Sequence, residues 1–494
     1  MKKITKLVLS LTTTAMIASS ALPLAACNGG SNITTGEVEV VAYDGSQVTV
    51  TFYHTMGAAL KTILDKNISE FNKAYPNIKI EHTSFGDYPG LRDQISTELT
   101  GGNAPSLAYC YPDHVALYQI SNAVLPLDDH IASTLSVTKA DGKTEIMGLT
   151  EEQIADYVPA YYEEGKAFGD GKMYTLPMLK STEVLYYNKN YFEEHKANIQ
   201  VPTTWEEMEE VCEYIKANPG TYKDEDGNTV NYKCIPLGYD SEANLFITMC
   251  EQLHTPYTSS KKGEYFLFNT QENRDFVKML KGFYDKGYMT TEEINGGYTS
   301  DLFTPEKPTD VRSYMCIGSS AGAGYQCPTK AEDGSYPFEV GIAMIPQANK
   351  EDPKVISQGP SLCMFKKKNP QEVAAAWLFM EFLTTNVQLQ AQMSMNNGYT
   401  CAIQSVQEHP VYANFLESAD GNLNLQATSV NQTIAQQDYY YVSPAFHGSA
   451  AARDGVGVLI QNCFVNNPKN QSMDEFIKAQ FDSTLKKLTQ RYGK

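Results

Sequence analysis

The chain has 494 residues, 42% hydrophobic and 20% charged, with a formal charge of −19. That length exceeds what one core organises, so two or three folded domains are expected, with the composition of an ordinary globular protein. The negative balance argues against nucleic acid as a partner and against docking on anionic lipid; the only basic run, Lys366-Lys367-Lys368, reads as a solvated loop.

The chain opens on Lys2, Lys3 and Lys6, followed by an apolar stretch from Leu7 to Ala26 that closes on Leu24-Ala25-Ala26-Cys27. This is the layout of a secretory signal, with a basic start, an apolar centre and a small-residue cleavage site. A cysteine just after the cut resembles a bacterial lipobox. The resemblance implies a signal peptide over 1–26 and lipidation of Cys27. A plain secretory signal with an incidental cysteine is the alternative. No second apolar run reaches spanning length, so the lipid would be the only membrane attachment, on the extracellular face. Residues 27–37, rich in Asn, Gly, Ser and Thr, read as a flexible tether.

The elements then follow in order. Residues 38–42 and 48–53 are β-branched runs around Asp44-Gly45, predicting a hairpin. Leu60, Ile63, Leu64, Ile68 and Phe71 mark one face of a helix that stops before Pro76. A strand at 78–80, a helix carrying Leu91, Ile95 and Leu99, a strand at 107–111 and a short helical piece at 117–124 continue the alternation. It restarts with a strand at 184–187, a helix capped by Thr204 and Glu207, and a helix over 269–284. Strands at 314–317 and 340–345 precede a helix capped at Asn369-Pro370, and Ser472 with Glu475 caps the last. Such alternation predicts an α/β fold with largely parallel sheets.

Some features point away from particular chemistries. The nine cysteines after Cys27 include no CxxC and match neither a zinc site nor a small disulfide scaffold. Cys212 with Cys234, or Cys316 with Cys327, could bridge outside the cell, but buried free thiols are the reading adopted. Asp224 to Asn228 and Glu332 to Gly334 lack the spacing of a calcium loop and read as turns. No metal and no cofactor are expected. The 32 tyrosines, against 2 tryptophans, offer flat apolar faces with hydroxyls, which suit polyhydroxylated ligands.

Several segments in sequence order are similar to the extracellular solute-binding proteins of ABC importers, family 1, carbohydrate branch. They are Thr51 to Met56; Gly101-Gly102-Asn103-Ala104-Pro105 followed by Pro112-Asp113; Val124 to Asp129; Gly171 to Pro177 leading into Leu185 to Lys189 and Pro202 to Trp205; and Gly359-Pro360-Ser361 ahead of Ala374 to Trp377, with Gly398-Tyr399 beyond. The pieces look nearest to glycerol-3-phosphate-binding proteins. The resemblance implies a two-lobed periplasmic-binding-protein-like fold of type II with a ligand cleft between the lobes. The first lobe would hold 38–178 and 354–397, the second 179–353 and 398–490. It implies ligand contacts at Ser181, Ser319, Ser320, Gly359 and Tyr399, with Ser361 beside them. It also implies departures. Gly57 or Ala58 replaces an acidic residue. The arginine that would pair with phosphate falls near Ser449 or Ala450, with Arg453 out of register. No tryptophan occupies 240–244, so stacking would come from Tyr239, Phe246 or elsewhere. Loss of an arginine fork favours a neutral sugar.

Positions at or beyond strand ends add His54, Asp113, Glu183 and Glu242 as candidate polar contacts, because open α/β sheets place ligands there. The competing enzyme reading rests on Gly318-Ser319-Ser320-Ala321-Gly322, which fits the G-x-S-x-G nucleophile elbow, with Ser320 as nucleophile and His409, His447 and Asp438 downstream. The glycine-rich stretch ending at Pro328 leaves no helix where the elbow needs one. A ligand-binding lipoprotein without a transporter is a third class. The sequence therefore predicts a binding protein and no enzyme: a monomer that captures a sugar or sugar-like polyol and delivers it to ABC permease subunits.

Overall fold

Apolar residues at every second position, Val48, Val50 and Phe52, give the strand Val48–His54 one buried face. In this computed structural model, which describes residues 31–493, that strand pairs in parallel with Ile78–Ser84 on one side and Leu107–Cys110 on the other. Ser361–Met364 and then Leu176–Pro177 complete a five-stranded sheet, both antiparallel. A second five-stranded sheet has the order Met289–Thr291, Leu237–Tyr239, Met315–Ser319, Glu183–Asn188, Val340–Ala343. Its first three strands are parallel and the last two antiparallel to their neighbours. Each sheet thus recruits a strand that arrives from the other side of the molecule, and each carries its own hydrophobic core.

Local chemistry sets most helix ends. Thr204 accepts from the Glu207 amide at 3.2 Å and the Glu207 carboxylate accepts from the amide of Thr203 at 2.7 Å, opening Trp205–Ala217. Ser472 and Glu475 do the same for Met473–Tyr492. In Ala58–Ala74 the buried positions are Leu60, Leu64, Asn67 and Phe71, one narrow stripe, while Ile63 and Ile68 lie at its half-buried margins.

The structure corrects several expectations. Residues 38–42 form no hairpin: both edges of Val48–His54 are already occupied, so Val38, Val41 and Ala42 pack on the first core instead. Residues 31–35 of the expected tether lie hydrogen-bonded along the first lobe. Lys366 and Lys367 are buried rather than solvated. The boundary expected at 398 is displaced: Cys401, Ile403, Val406, Tyr412 and Val430 belong to the first core, whereas Val355 and Ile356 belong to the second. Apolar burial, not the crossing points, decides these memberships. Cys27 lies outside the described residues. The nine cysteines among them are free, eight of them buried. Asp224 holds a tight turn between Thr221–Lys223 and Thr229–Asn231, accepting from the amides of Asp226 and Asn228.

The lobes are joined by crossing segments that pair with one another. Leu179–Lys180 is antiparallel to Thr400–Cys401, Val355–Ile356 is parallel to Tyr440–Tyr441, and Ser181 bridges Gln358. At their centre Lys180 Nζ donates to Glu164 Oε2 at 2.8 Å and to Ser361 Oγ at 3.2 Å, and Ser357 Oγ donates to the same carboxylate oxygen at 3.1 Å.

Candidate ligand-binding cleft

The parallel strands of both sheets end facing each other, and the loops that follow them line a cavity of about 530 Å³. From the first lobe come Thr55 to Leu60, Gly86, Asp87, Tyr88 and Tyr109; from the second come Tyr298, Ala321, Gly324 and Tyr325; Asn396, Asn397, Tyr399 and Gln426 close one side. Five tyrosines therefore surround it. Tyr298 and Tyr325 are 60% and 80% exposed, an unusual presentation of large aromatic surface that suits a partner stacking on it. The Tyr109 hydroxyl is buried with no hydrogen-bond partner among the described residues, and the Tyr88 hydroxyl is buried close to Tyr111 and Tyr399. Gly57, Ala58 and Ala59 keep the floor open. Among the described residues Asp87 is the one charged side chain in the lining, and none of the lining side chains is basic.

A smaller interlobe cavity of about 70 Å³ lies beside it, lined in part by Tyr111, Asp113, Glu164, Tyr257, Ser449 and Arg453. Tyr88 and Tyr111, whose ring centroids are 4.4 Å apart, each line one of the two spaces. Arg453 hydrogen-bonds the side-chain carbonyl of Asn244. Asn244 in turn donates to Glu183 at 2.9 Å, and Tyr239 donates to the other Glu183 oxygen at 2.7 Å. Burial raises the Glu183 carboxyl to about 7 against the pull of these hydrogen bonds. Near the rim, burial together with Asp240, Glu242, Glu293 and Asp87 raises Glu292 to about 7. On this side the lobes touch, with Arg92 Nη1 3.1 Å from Asp454 Oδ2.

Of the residues singled out from sequence, Tyr399 lines the main cleft and Asp113 the small cavity. Ser319 is half-buried and accepts from the Ala321 amide at 3.2 Å, so it shapes the turn that presents Tyr325. The others stand behind the lining. His54 is fully buried, 2.9 Å from His82, accepts from the Met56 amide, and burial depresses its imidazole to about 3; it holds the 55–60 loop from beneath. Ser181 belongs to the crossing pair. Glu242 is buried and accepts from the Glu293 amide at 3.2 Å. Ser361 accepts from Lys180. A Cβ on Gly359, at φ +95°, would meet Leu179 O at 2.6 Å, so this glycine permits close approach of two crossing segments. Ser320 is fully buried and accepts from the Thr182 amide at 3.2 Å, and a 3₁₀ turn, Ser320–Gln326, follows it; this is not the exposed elbow that a nucleophile needs. Tyr239 and Phe246, expected to stack, are wholly in the core, and Tyr298 and Tyr325 hold that position. Tyr399, Gly57 and Ala58 were marked by the family resemblance, whereas for Tyr88, Tyr109, Tyr298 and Tyr325 the abundance of tyrosine was the one hint.

A two-lobed α/β protein with an aromatic interlobe cleft and paired crossing segments is a solute-binding architecture. The profile of the bacterial extracellular solute-binding protein family matches residues 66–417, and the chain belongs to that family. It is an extracellular solute-binding protein of the kind that serves ABC importers. It is similar to the sn-glycerol-3-phosphate-binding periplasmic protein UgpB of Escherichia coli, 25% identical over 351 residues, covering 68% of this chain and 70% of that one. Among solved structures, UgpB from Mycobacterium tuberculosis in complex with glycerophosphocholine superposes with a TM-score of 0.66 at 14% identity, covering 90% and 98% of the two chains. The ABC substrate-binding protein Lmo0181 from Listeria monocytogenes, in complex with cycloalternan, gives 0.65 at 17% identity, covering 90% and 99%. These likenesses show the periplasmic-binding-protein-like fold. No described helix is long and apolar enough to cross a membrane.

Proposed function

We propose that the cleft captures a neutral sugar or sugar-like polyol outside the cell and hands it to the permease subunits of an ABC importer, with no bond made or broken. The protein works as a monomer, held at the extracellular face of the membrane by a lipid on Cys27. The observation that carries the ligand class is the lining: aromatic plates from both lobes and, among the described residues, a single carboxylate with no cation around about 530 Å³. Sugars present apolar faces and rings of hydroxyls that such a surface matches, and the volume falls in the range of small-molecule sites. A phosphate dianion would meet Asp87 there with no arginine fork. Closure brings the tyrosines of the two lobes onto opposite sides of one ligand by rotation about the crossing segments.

One observation favours a second reading. Arg453 reaches the adjoining small cavity with only a neutral hydrogen-bond partner, and the Escherichia coli relative binds glycerol 3-phosphate by its name. Calorimetric titration with mono- and oligosaccharides and with glycerol phosphates separates the two. The sugar reading expects Tyr298→Ala or Tyr399→Ala to weaken binding about 10-fold, roughly 1.4 kcal/mol, with Arg453→Ala nearly silent. Binding of glycerol phosphate alone, abolished by Arg453→Ala, would overturn it.

A further inference from the structure

The segment expected to be a free leash is built into the first lobe almost from its start. Asn32 makes four hydrogen bonds that fix it. Its amide donates to Gly102 O at 3.1 Å, its carbonyl accepts from the Lys368 amide at 3.1 Å, and its side chain exchanges a pair with Ala104 at 3.1 and 3.2 Å. Ile33 is 7% exposed, joins the first core and bridges Lys367. The Thr34 amide donates to Lys366 O at 2.9 Å, and Asn122 donates to Thr35 O at 2.8 Å. Gly102, at φ +73°, is shaped to this segment, because a Cβ there would come within 3.0 Å of Ser31. The buried lysines form the seat: Lys366 Nζ bonds Asn122 at 2.8 Å and Lys367 Nζ bonds Ala104 O at 2.6 Å. A short peptide that satisfies this much backbone and buries an isoleucine is a fixed strap, not a random coil.

We infer that this strap turns the lipid anchor into an orienting device, which holds the Gly101–Asn103 edge of the first lobe against the membrane and leaves the second lobe free to move. The inference rests on the reading of Cys27 as the lipidated residue. Ser31 lies four residue steps after Cys27, and an extended chain spans about 3.5 Å per step, so the edge lies within about 14 Å of the lipid headgroups. With a free tether over 27–37 the reach would be about 35 Å and either lobe could face the bilayer. The partner surface is the phospholipid headgroup layer, met by the exposed residues Asn103, Asn122 and Lys368 around the strap. Ligand closure then swings the second lobe relative to a membrane-fixed first lobe.

The test uses the full lipidated chain in phospholipid vesicles carrying a headgroup acceptor dye. The donor sits at Asn103→Cys or at Asp226→Cys, an exposed turn of the second lobe, in a Cys327→Ser background, since the other described thiols are buried. Energy transfer from position 103 should exceed that from 226 several-fold, and the difference should collapse in Asn32→Ala/Ile33→Ser, with thermal melting confirming that the variant folds. Equal transfer from the two positions, or a strap variant that keeps the difference, overturns the orienting role while flotation with the vesicles stays intact. A chain that fails to float, just as Cys27→Ser should, overturns the anchor reading itself and the orienting role with it.

Discussion

Lys180→Met removes the one cation from the buried cluster that ties the crossing segments together, while filling nearly the same volume. The Lys180 and Glu164 side chains are 0% and 3% exposed, so the pair sits in a medium where an orphaned charge cannot be solvated. Breaking such a pair from one side costs about 3–5 kcal/mol, roughly a 100- to 5,000-fold change in the folding equilibrium. At about 2.1 cal/mol/K per residue, a chain of this length has an unfolding entropy of about 1 kcal/mol/K, so Tm should fall by about 3–5 °C. Removing both charges in Lys180→Met/Glu164→Gln should restore the protein to within about 2 kcal/mol of the starting stability, because the penalty lies in the stranded carboxylate rather than in a lost attraction. Urea and thermal unfolding of the four proteins in the cycle measure each quantity. A single variant within about 1 kcal/mol of the parent, or a double variant equal to the sum of the singles, would refute the reasoning.

Three further outcomes follow from the packing. Burial raises Glu183 to about 7 and Glu381 to about 8; the folded state then holds protons that the unfolded state has released, so stability should decline as pH rises from about 4.5 through 7–8. Glu183→Gln should flatten that decline by up to about 3 kcal/mol, and an unchanged slope in melts between pH 5 and 7.5 would remove Glu183 as its source. Gly359→Ala should destabilise by more than about 2 kcal/mol, from positive φ and contact with Leu179 O and Lys180 Cα at 2.6 and 2.8 Å; near-neutral unfolding would show that the crossing segments can separate at no cost. With the nine described cysteines free and only Cys327 half-buried, a thiol reagent should titrate at most about one group in the native protein and the rest on unfolding, whereas a native protein that exposes several would contradict the packing.

Much of this molecule was legible because its signals are local. A capping box such as Thr204 with Glu207 acts within one turn, and its chemistry is complete in four residues. The stripe of Leu60, Leu64 and Phe71 needs only the helical period. The order of short segments between Thr51 and Tyr399 was enough to place the chain in its family and fold, which the profile match and the two sheets bear out. Site residues were less legible. His54 and Glu183 have the right residue types at strand ends, yet their polar atoms are used on His82, Tyr239 and Asn244, and which atoms are already committed is not written in a linear pattern. The 38–42 run has strand propensity, but the edge it would need is taken by a strand that starts at residue 78.

The sequence by itself determined many of the secondary elements, several of their caps and the solute-binding class, because those rest on residues that are neighbours along the chain. Tertiary structure decided which tyrosines meet. Tyr88, Tyr298, Tyr325 and Tyr399 are far apart in sequence, and they converge only because the parallel strands of two sheets end on opposite sides of one gap. It also decided that residues 31–35 are a strap, since a polar peptide is ordered only when a distant surface, here Gly102, Ala104 and Lys366 to Lys368, supplies its hydrogen bonds.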